Sequence, residues 1–270
     1  MENLNLFTGL LFVLVTGVTI YFFYSAVPAG IASRRFGIIV LCWIVLQTTL
    51  TLSGFYLKTN SVPPRIVLLF VPPLFLILVM FLTVSGRNFM DSLNVRKLTL
   101  LHIIRVPVEI VLYLLFLDKQ VPQLMSFAGG NLDILSGLSA PVVYYLVFSS
   151  GKAGHRLLLS WNFICLGLLL WIVVRAAMSV PTPFQRLAFD QPNWAILHFP
   201  YSLLPCCIVP LVFFSHLSII RRLTTGRATL TAIHSSHTRQ FIRRLLQFIK
   251  RTIFFARKLY HFYGATIDQP

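Results

Sequence analysis

Long apolar stretches separated by short connections constrain this chain more than any other feature. A bilayer core roughly 30 Å thick offers the backbone no water, so a crossing segment must be a helix of about 20 apolar residues. Six stretches meet that length: Leu4 to Ala26, Phe36 to Leu57, Pro64 to Val84, Leu98 to Leu117, Arg156 to Ser179, and Ala195 to Ile220. A further stretch, Asn131 to Ser149, is interrupted by Asn131, Asp133 and Ser136 and is plainly apolar only from Gly137. Counting it as a span places Lys119 and Lys152 on opposite sides. The expected fold is therefore all-α: a polytopic transmembrane helical bundle of seven spans. The first stretch carries no basic leader, and it is longer than a signal-peptide core of roughly 7–15 residues, so an uncleaved span is expected there.

Composition agrees with a membrane class. Charged residues make up 11% of the chain and hydrophobic ones 57%, whereas soluble domains carry roughly 25% charged residues. The four cysteines, Cys42, Cys165, Cys206 and Cys207, all fall within apolar stretches and read as reduced, buried small side chains.

The placement of lysine and arginine sets the orientation, because short cytoplasmic loops retain them. Connections one, three and five hold Arg34 and Arg35, then Arg87, Arg96 and Lys97, then Lys152 and Arg156. The even connections hold fewer: Lys58 and Arg65, Lys119 beside Asp118, and Arg186 beside Asp190. The amino terminus is expected outside and the carboxyl terminus in the cytoplasm, with residues 1–220 forming the transmembrane domain and 221–270 a basic cytoplasmic tail. The cytoplasmic (inner) membrane is the expected location.

The net charge of +16 is concentrated at that end: ten of the 23 basic residues lie between Arg221 and Lys258. From Thr238 to Phe262, Phe241, Leu245, Phe248, Ile249, Phe255 and Leu259 share one helical face, and Arg239, Arg243, Arg244, Lys250, Arg251, Arg257 and Lys258 take the other. Such a helix is expected to lie in the interface with its charges on anionic lipid headgroups. A protein partner is the alternative, and nucleic acid ranks last.

Charge inside a bilayer costs about 2.5–3.5 kcal/mol per residue at a helix centre on insertion scales, so each instance needs a partner or a task. His102, Arg105 and Glu109 are spaced three and four apart and share one helical stripe. Glu109 is expected near the bilayer midplane with Arg105 as its ion-pair partner, as a structural anion or a proton-exchanging group. Asn162 and His216 complete an inner polar cluster. Asp133, Arg175, Asp190 and His198 form a second cluster toward the outer side, where Arg175 snorkels or pairs with Asp133 or Asp190. The run Phe189-Asp190-Gln191-Pro192-Asn193 reads as a cap for the seventh helix. Phe127, Phe184, Leu187 and Phe189 are expected near the outer interface. Prolines 72, 73, 107, 141, 200, 205 and 210 are expected to kink their spans.

No nucleotide-binding, zincin, serine-hydrolase elbow or C-x-x-C motif occurs, and the seventh span lacks the lysine that a retinal Schiff base would need. No metal site or cofactor is expected. The first functional reading is a non-enzymatic bundle that senses or scaffolds by binding a small molecule or lipid. The second is a secondary transporter or proton pathway using Glu109. The third is a haem protein or intramembrane enzyme using His102 and His216, which are expected at one depth.

Overall fold

The computed structural model describes residues 2–149 and 154–226. The tail residues expected on lipid, Arg239 to Lys258, lie outside the described residues, as does Lys152. Among the described residues nine α-helices follow in order: α1 Glu2–Ala26, α2 Ile31–Leu52, α3 Val67–Leu82, α4 Val84–Ser92, α5 Val95–Leu101, α6 Arg105–Leu117, α7 Ile134–Tyr144, α8 His155–Met178 and α9 Val209–Thr224. A 3-10 turn at His102–Ile104 joins α5 to α6, and π turns at Tyr145–Ser149 and Leu204–Ile208 extend α7 and α9. No strand occurs among the described residues.

Among the described residues five continuous helical stretches are long and apolar enough to cross a membrane: Leu6–Ala26, Ala32–Leu52, Val95–Leu117, His155–Met178 and Leu204–Thr224. A sixth counts if α3 and α4, which meet at 97°, form one broken span. The molecule is thus compatible with a multi-pass membrane bundle. The Val95–Leu117 rod is central, buried over 83% of its most apolar stretch, while α2 is buried over 11% and lies at the periphery. α1 packs along the rod, α7 crosses it at the 3-10 turn, and α8 pairs with α9.

Three boundaries depart from the hydropathy reading. The last helical limb starts at Leu204, not Ala195, because Pro200 and Pro205 lack the N–H that a helix needs in its second turn. The run from Asp190 to Asn193 therefore caps no helix. Gln191 instead donates to the carbonyls of Phe116 and Val121, and Asn193 N–H to that of Ser179. α7 begins at Ile134, so Asn131 and Asp133 belong to the incoming loop. The tail boundary drawn at residue 220 falls inside α9, whose Arg221 pairs with Asp91 at 3.1 Å.

The bend between α3 and α4 has a local cause. Thr83 is extended and its hydroxyl accepts the Gly86 N–H at 3.2 Å, while Arg87 donates to the carbonyls of Phe81 and Leu82 that end α3. A Cβ on Gly86 would sit 2.3 Å from the Met80 carbonyl oxygen. Basic groups gather at this end: Lys97 donates to the Ser25 carbonyl at 2.5 Å and Arg222 to that of Leu93.

Prolines inside membrane helices orphan the carbonyl four residues earlier, and α2 supplies two donors for these. Pro72 cannot serve Leu68, whose oxygen accepts from Gln47 Nε2 at 3.3 Å. Pro210 cannot serve Cys206, whose oxygen accepts from Trp43 Nε1 at 2.9 Å. One turn further, the Thr51 hydroxyl meets that of Ser202 at 3.0 Å. The stripe Trp43-Gln47-Thr51 thus fastens an otherwise exposed helix. Trp43→Phe keeps the ring and removes the donor, so it is expected to lower stability by about 1–3 kcal/mol, the penalty of a buried unsatisfied carbonyl. Reversible unfolding in mixed micelles checks this; an unchanged transition would show that the Cys206 carbonyl finds another donor.

Candidate functional site

The central rod carries the polar centre. Pro107 interrupts the backbone bonding of the rod, and the 3-10 turn at His102–Ile104 sits just before it. Arg105, ten residues into the rod and so about 15 Å from its basic end at 1.5 Å per residue, is 3% exposed. α7 approaches closely here, since a Cβ on Gly137 would lie 2.8 Å from Val106 Cγ2 and 3.0 Å from Val106 N. Gly137→Ala is therefore expected to push α7 off the rod and cost about 1–3 kcal/mol, as overpacking does; an unfolding midpoint equal to that of the parent would contradict the contact.

Arg105 does not pair with Glu109. Its Nη1 donates to Asp133 Oδ1 at 2.7 Å and to the Cys165 carbonyl at 3.3 Å, and its Nη2 meets His216 Nε2 at 2.9 Å. Arginine before glutamate is the weaker order for an i,i+4 pair on a helix, and three partners, on the loop entering α7, on α8 and on α9, outcompete it. A guanidinium only donates, so His216 Nε2 accepts and its Nδ1 carries the hydrogen donated to Asn162 Oδ1 at 2.8 Å. Asn162 Nδ2 closes the chain on the Leu158 carbonyl at 2.8 Å. This lattice ties α6, α7, α8 and α9 together below Glu109.

Glu109, 2% exposed, has another partner. Asn131 Nδ2 donates to its Oε1 at 2.5 Å and to the Met125 carbonyl at 3.0 Å, and Asn131 Oδ1 accepts the Asp133 N–H at 3.1 Å. The two backbone contacts fix which end of the Asn131 amide faces Glu109. The segment Gln123 to Asp133, with 3-10 turns at Gln123–Met125 and Phe127–Gly129, descends into the bundle to make these contacts. Irregular backbone at such depth is tolerated only where protein covers it. Glu109 Oε2 has no hydrogen-bond partner among the described residues.

A cavity of about 60 Å³ adjoins this carboxyl, lined by Arg105, Glu109 and Asp133 amid aliphatic side chains of α6, α8 and α9. It meets the surface on the flank of the bundle, where the half-exposed Val173 and Ala176 of α8 face Leu204 and Val209. At roughly 30 Å³ per water it has room for about two.

His102 and His216 come together as stacked rings, with centroids 3.9 Å apart and planes 15° apart, and Trp161 stands edge-on to His102 at 5.4 Å. Parallel rings in contact leave no gap for a macrocycle between them, and both nitrogens of His216 are engaged, so the pair does not fit axial haem ligation. Of the outer cluster, only Asp133 reaches the centre. Arg175 donates to the Gly129 carbonyl at 3.3 Å and stacks over Trp171, Asp190 is exposed, and exposed His198 contacts the Trp194 carbonyl at 3.0 Å. Phe127, Phe184 and Phe189 are exposed at the end opposite the basic one. Sequence reading missed Asn131 as a partner of Glu109, and it missed the Trp43-Gln47-Thr51 stripe, whose i,i+4 spacing in an apolar helix was the available signal.

A family described as a domain of unknown function (DUF8737) matches residues 63–224, which include every residue of the polar centre. No curated protein and no solved structure matches the chain.

Proposed function

Starting from the fact that the chain belongs to the family of the domain of unknown function DUF8737, we propose that it is a ligand-binding membrane bundle whose recognising group is Glu109. The cavity lined by Glu109, whose Oε2 has no hydrogen-bond partner among the described residues, carries this reading. It is too small for a drug-sized ligand, which needs roughly 300 Å³ or more, and it suits water, an ion or the donor head of a small amphiphile entering from the flank. Glu109 is not needed to neutralise Arg105, so the simplest structural role for a buried carboxyl is already taken by Asp133.

In this reading the chain spans the membrane seven times, with α3 and α4 as one broken span and α7 as a short one. The basic end, with Arg34, Arg35, Arg87, Arg96, Lys97, Arg221 and Arg222, faces the cytoplasm, and the tail rests on anionic headgroups. A single cysteine at position 61 is then expected to react with an impermeant thiol reagent on intact cells, and one at position 92 only after permeabilisation. The reverse pattern would invert the topology.

Transport is the second reading, favoured by the asymmetry of the centre. The cavity opens on the flank between α8 and α9, while the lattice from Arg105 through His216 to Asn162 fills the bundle toward the basic end. Thermal unfolding of the purified protein against ammonium, alkylammonium, guanidinium, sodium and potassium salts tests the binding reading. At least one salt is expected to raise Tm in the parent and not in Glu109→Gln. Shifts shared by the variant, or none across the panel, would overturn it.

A further inference from the structure

We infer that Glu109 exchanges a proton at Oε2 with water in the flank cavity while Asn131 holds Oε1 in place, a step that rests on the binding reading above. The geometry separates the two carboxyl oxygens by task. Oε1 is committed to Asn131, whose amide is fixed by the Met125 carbonyl and the Asp133 N–H. Oε2 is buried and without a partner among the described residues, on a side chain that lines a cavity with room for about two waters.

The lining argues for a proton over a metal ion. A hard cation needs several oxygen ligands, and the wall offers only two carboxylates, one of them bound to the Arg105 guanidinium at 2.7 Å. A proton needs a single acceptor. The charged groups of the lining are Arg105 on the same rod and Asp133 from the α7 loop, and these two neutralise each other at 2.7 Å. From α8 and α9 the cavity receives Leu169, Ile172, Val173 and Ala176, then Leu204, Ile208, Val209 and Val212, none of them titratable. In the uptake step a hydronium in the cavity loses a proton, an O–H bond forms at Oε2, and a neutral water remains. Release runs in reverse, and the centre moves between net neutral and net minus one. Arg105, held through both Nη atoms by Asp133, the Cys165 carbonyl and His216, lies between the cavity and the basic end, so the exchange is one-sided.

Infrared difference spectroscopy across a pH titration of the purified protein tests this without requiring any reagent to reach the site. The parent is expected to show a protonated-carboxyl C=O band that grows on acidification and is absent from Glu109→Gln. Glutamine retains the oxygen that Asn131 needs, so the variant is expected to fold. The acid form should fall about tenfold per pH unit beyond its midpoint. Either a band unchanged by pH or no band distinguishing the two proteins would overturn the inference. If the salt panel still shows binding that depends on Glu109, only proton exchange fails. If the band titrates and no salt binds, the proton is the sole occupant and the wider ligand reading falls.

Discussion

Asp133→Asn is expected to lower stability by about 3–5 kcal/mol, the largest effect of any conservative change in the centre. The amide matches the carboxylate in shape but leaves the Arg105 guanidinium charged and uncompensated at 3% exposure, and breaking one side of a buried ion pair has this magnitude. Arg105 would keep only the Cys165 carbonyl and His216 Nε2, neither of them anionic. Reversible unfolding in mixed micelles measures the loss. The double variant Arg105→Met with Asp133→Leu is expected to recover much of it, because replacing both members of a buried pair by apolar groups is often near neutral. Recovery stays incomplete to the extent that His216 Nε2 is left without its donor. If the single and double variants fell equally, the cost would lie in the shape of the α7 loop and not in the stranded charge. Glu109→Gln provides the contrast, since it strands no cation and is expected to unfold close to the parent.

Gly129→Ala is expected to cost about 3 kcal/mol, the upper end of overpacking penalties. A Cβ there would lie 2.0 Å from the Gln123 carbonyl oxygen, 2.4 Å from its carbon and 2.6 Å from the Leu124 nitrogen. All three are backbone atoms, so no rotamer change relieves the contact and the two 3-10 turns must separate. The Gly129 carbonyl also accepts from Arg175, so the shift would release the tie between this segment and α8. Because the same segment delivers Asn131 to Glu109 and Asp133 to Arg105, the variant should lose both contacts together. The titrating infrared band assigned to Glu109 should then shift in frequency as Oε1 loses its donor. Parent-like stability with an unmoved band would mean that the segment is held by Asn131 and Asp133 alone.

The unpaired Glu109 shows where reading by residue spacing stops. The spacing of His102, Arg105 and Glu109 along the central rod is a local property. Their partners are not local. Arg105 is satisfied from positions 28, 60 and 111 residues away, and no pattern in the sequence ranks those acceptors above the one at i+4. The polar residues of the fifth apolar stretch show the same limit. Asn131 and Asp133 look like blemishes in a span, but in the folded chain they are the contact residues of a loop that enters the bundle to meet the central rod.

What the sequence determined by itself is helix: apolar runs of helix length form helices compatible with a membrane bundle, because the requirement to satisfy every backbone group acts within each segment. The concentration of arginine and lysine at alternate connections is equally local, and those described gather at one end of the molecule. Only the tertiary structure decided where helices begin among their prolines, that α3 and α4 meet at 97°, and that Trp43 and Gln47 serve carbonyls orphaned on other helices. It also decided that Asp133, not Glu109, neutralises Arg105. Each of these depends on which groups from distant parts of the chain arrive within about 3 Å of one another, and that is a property of packing.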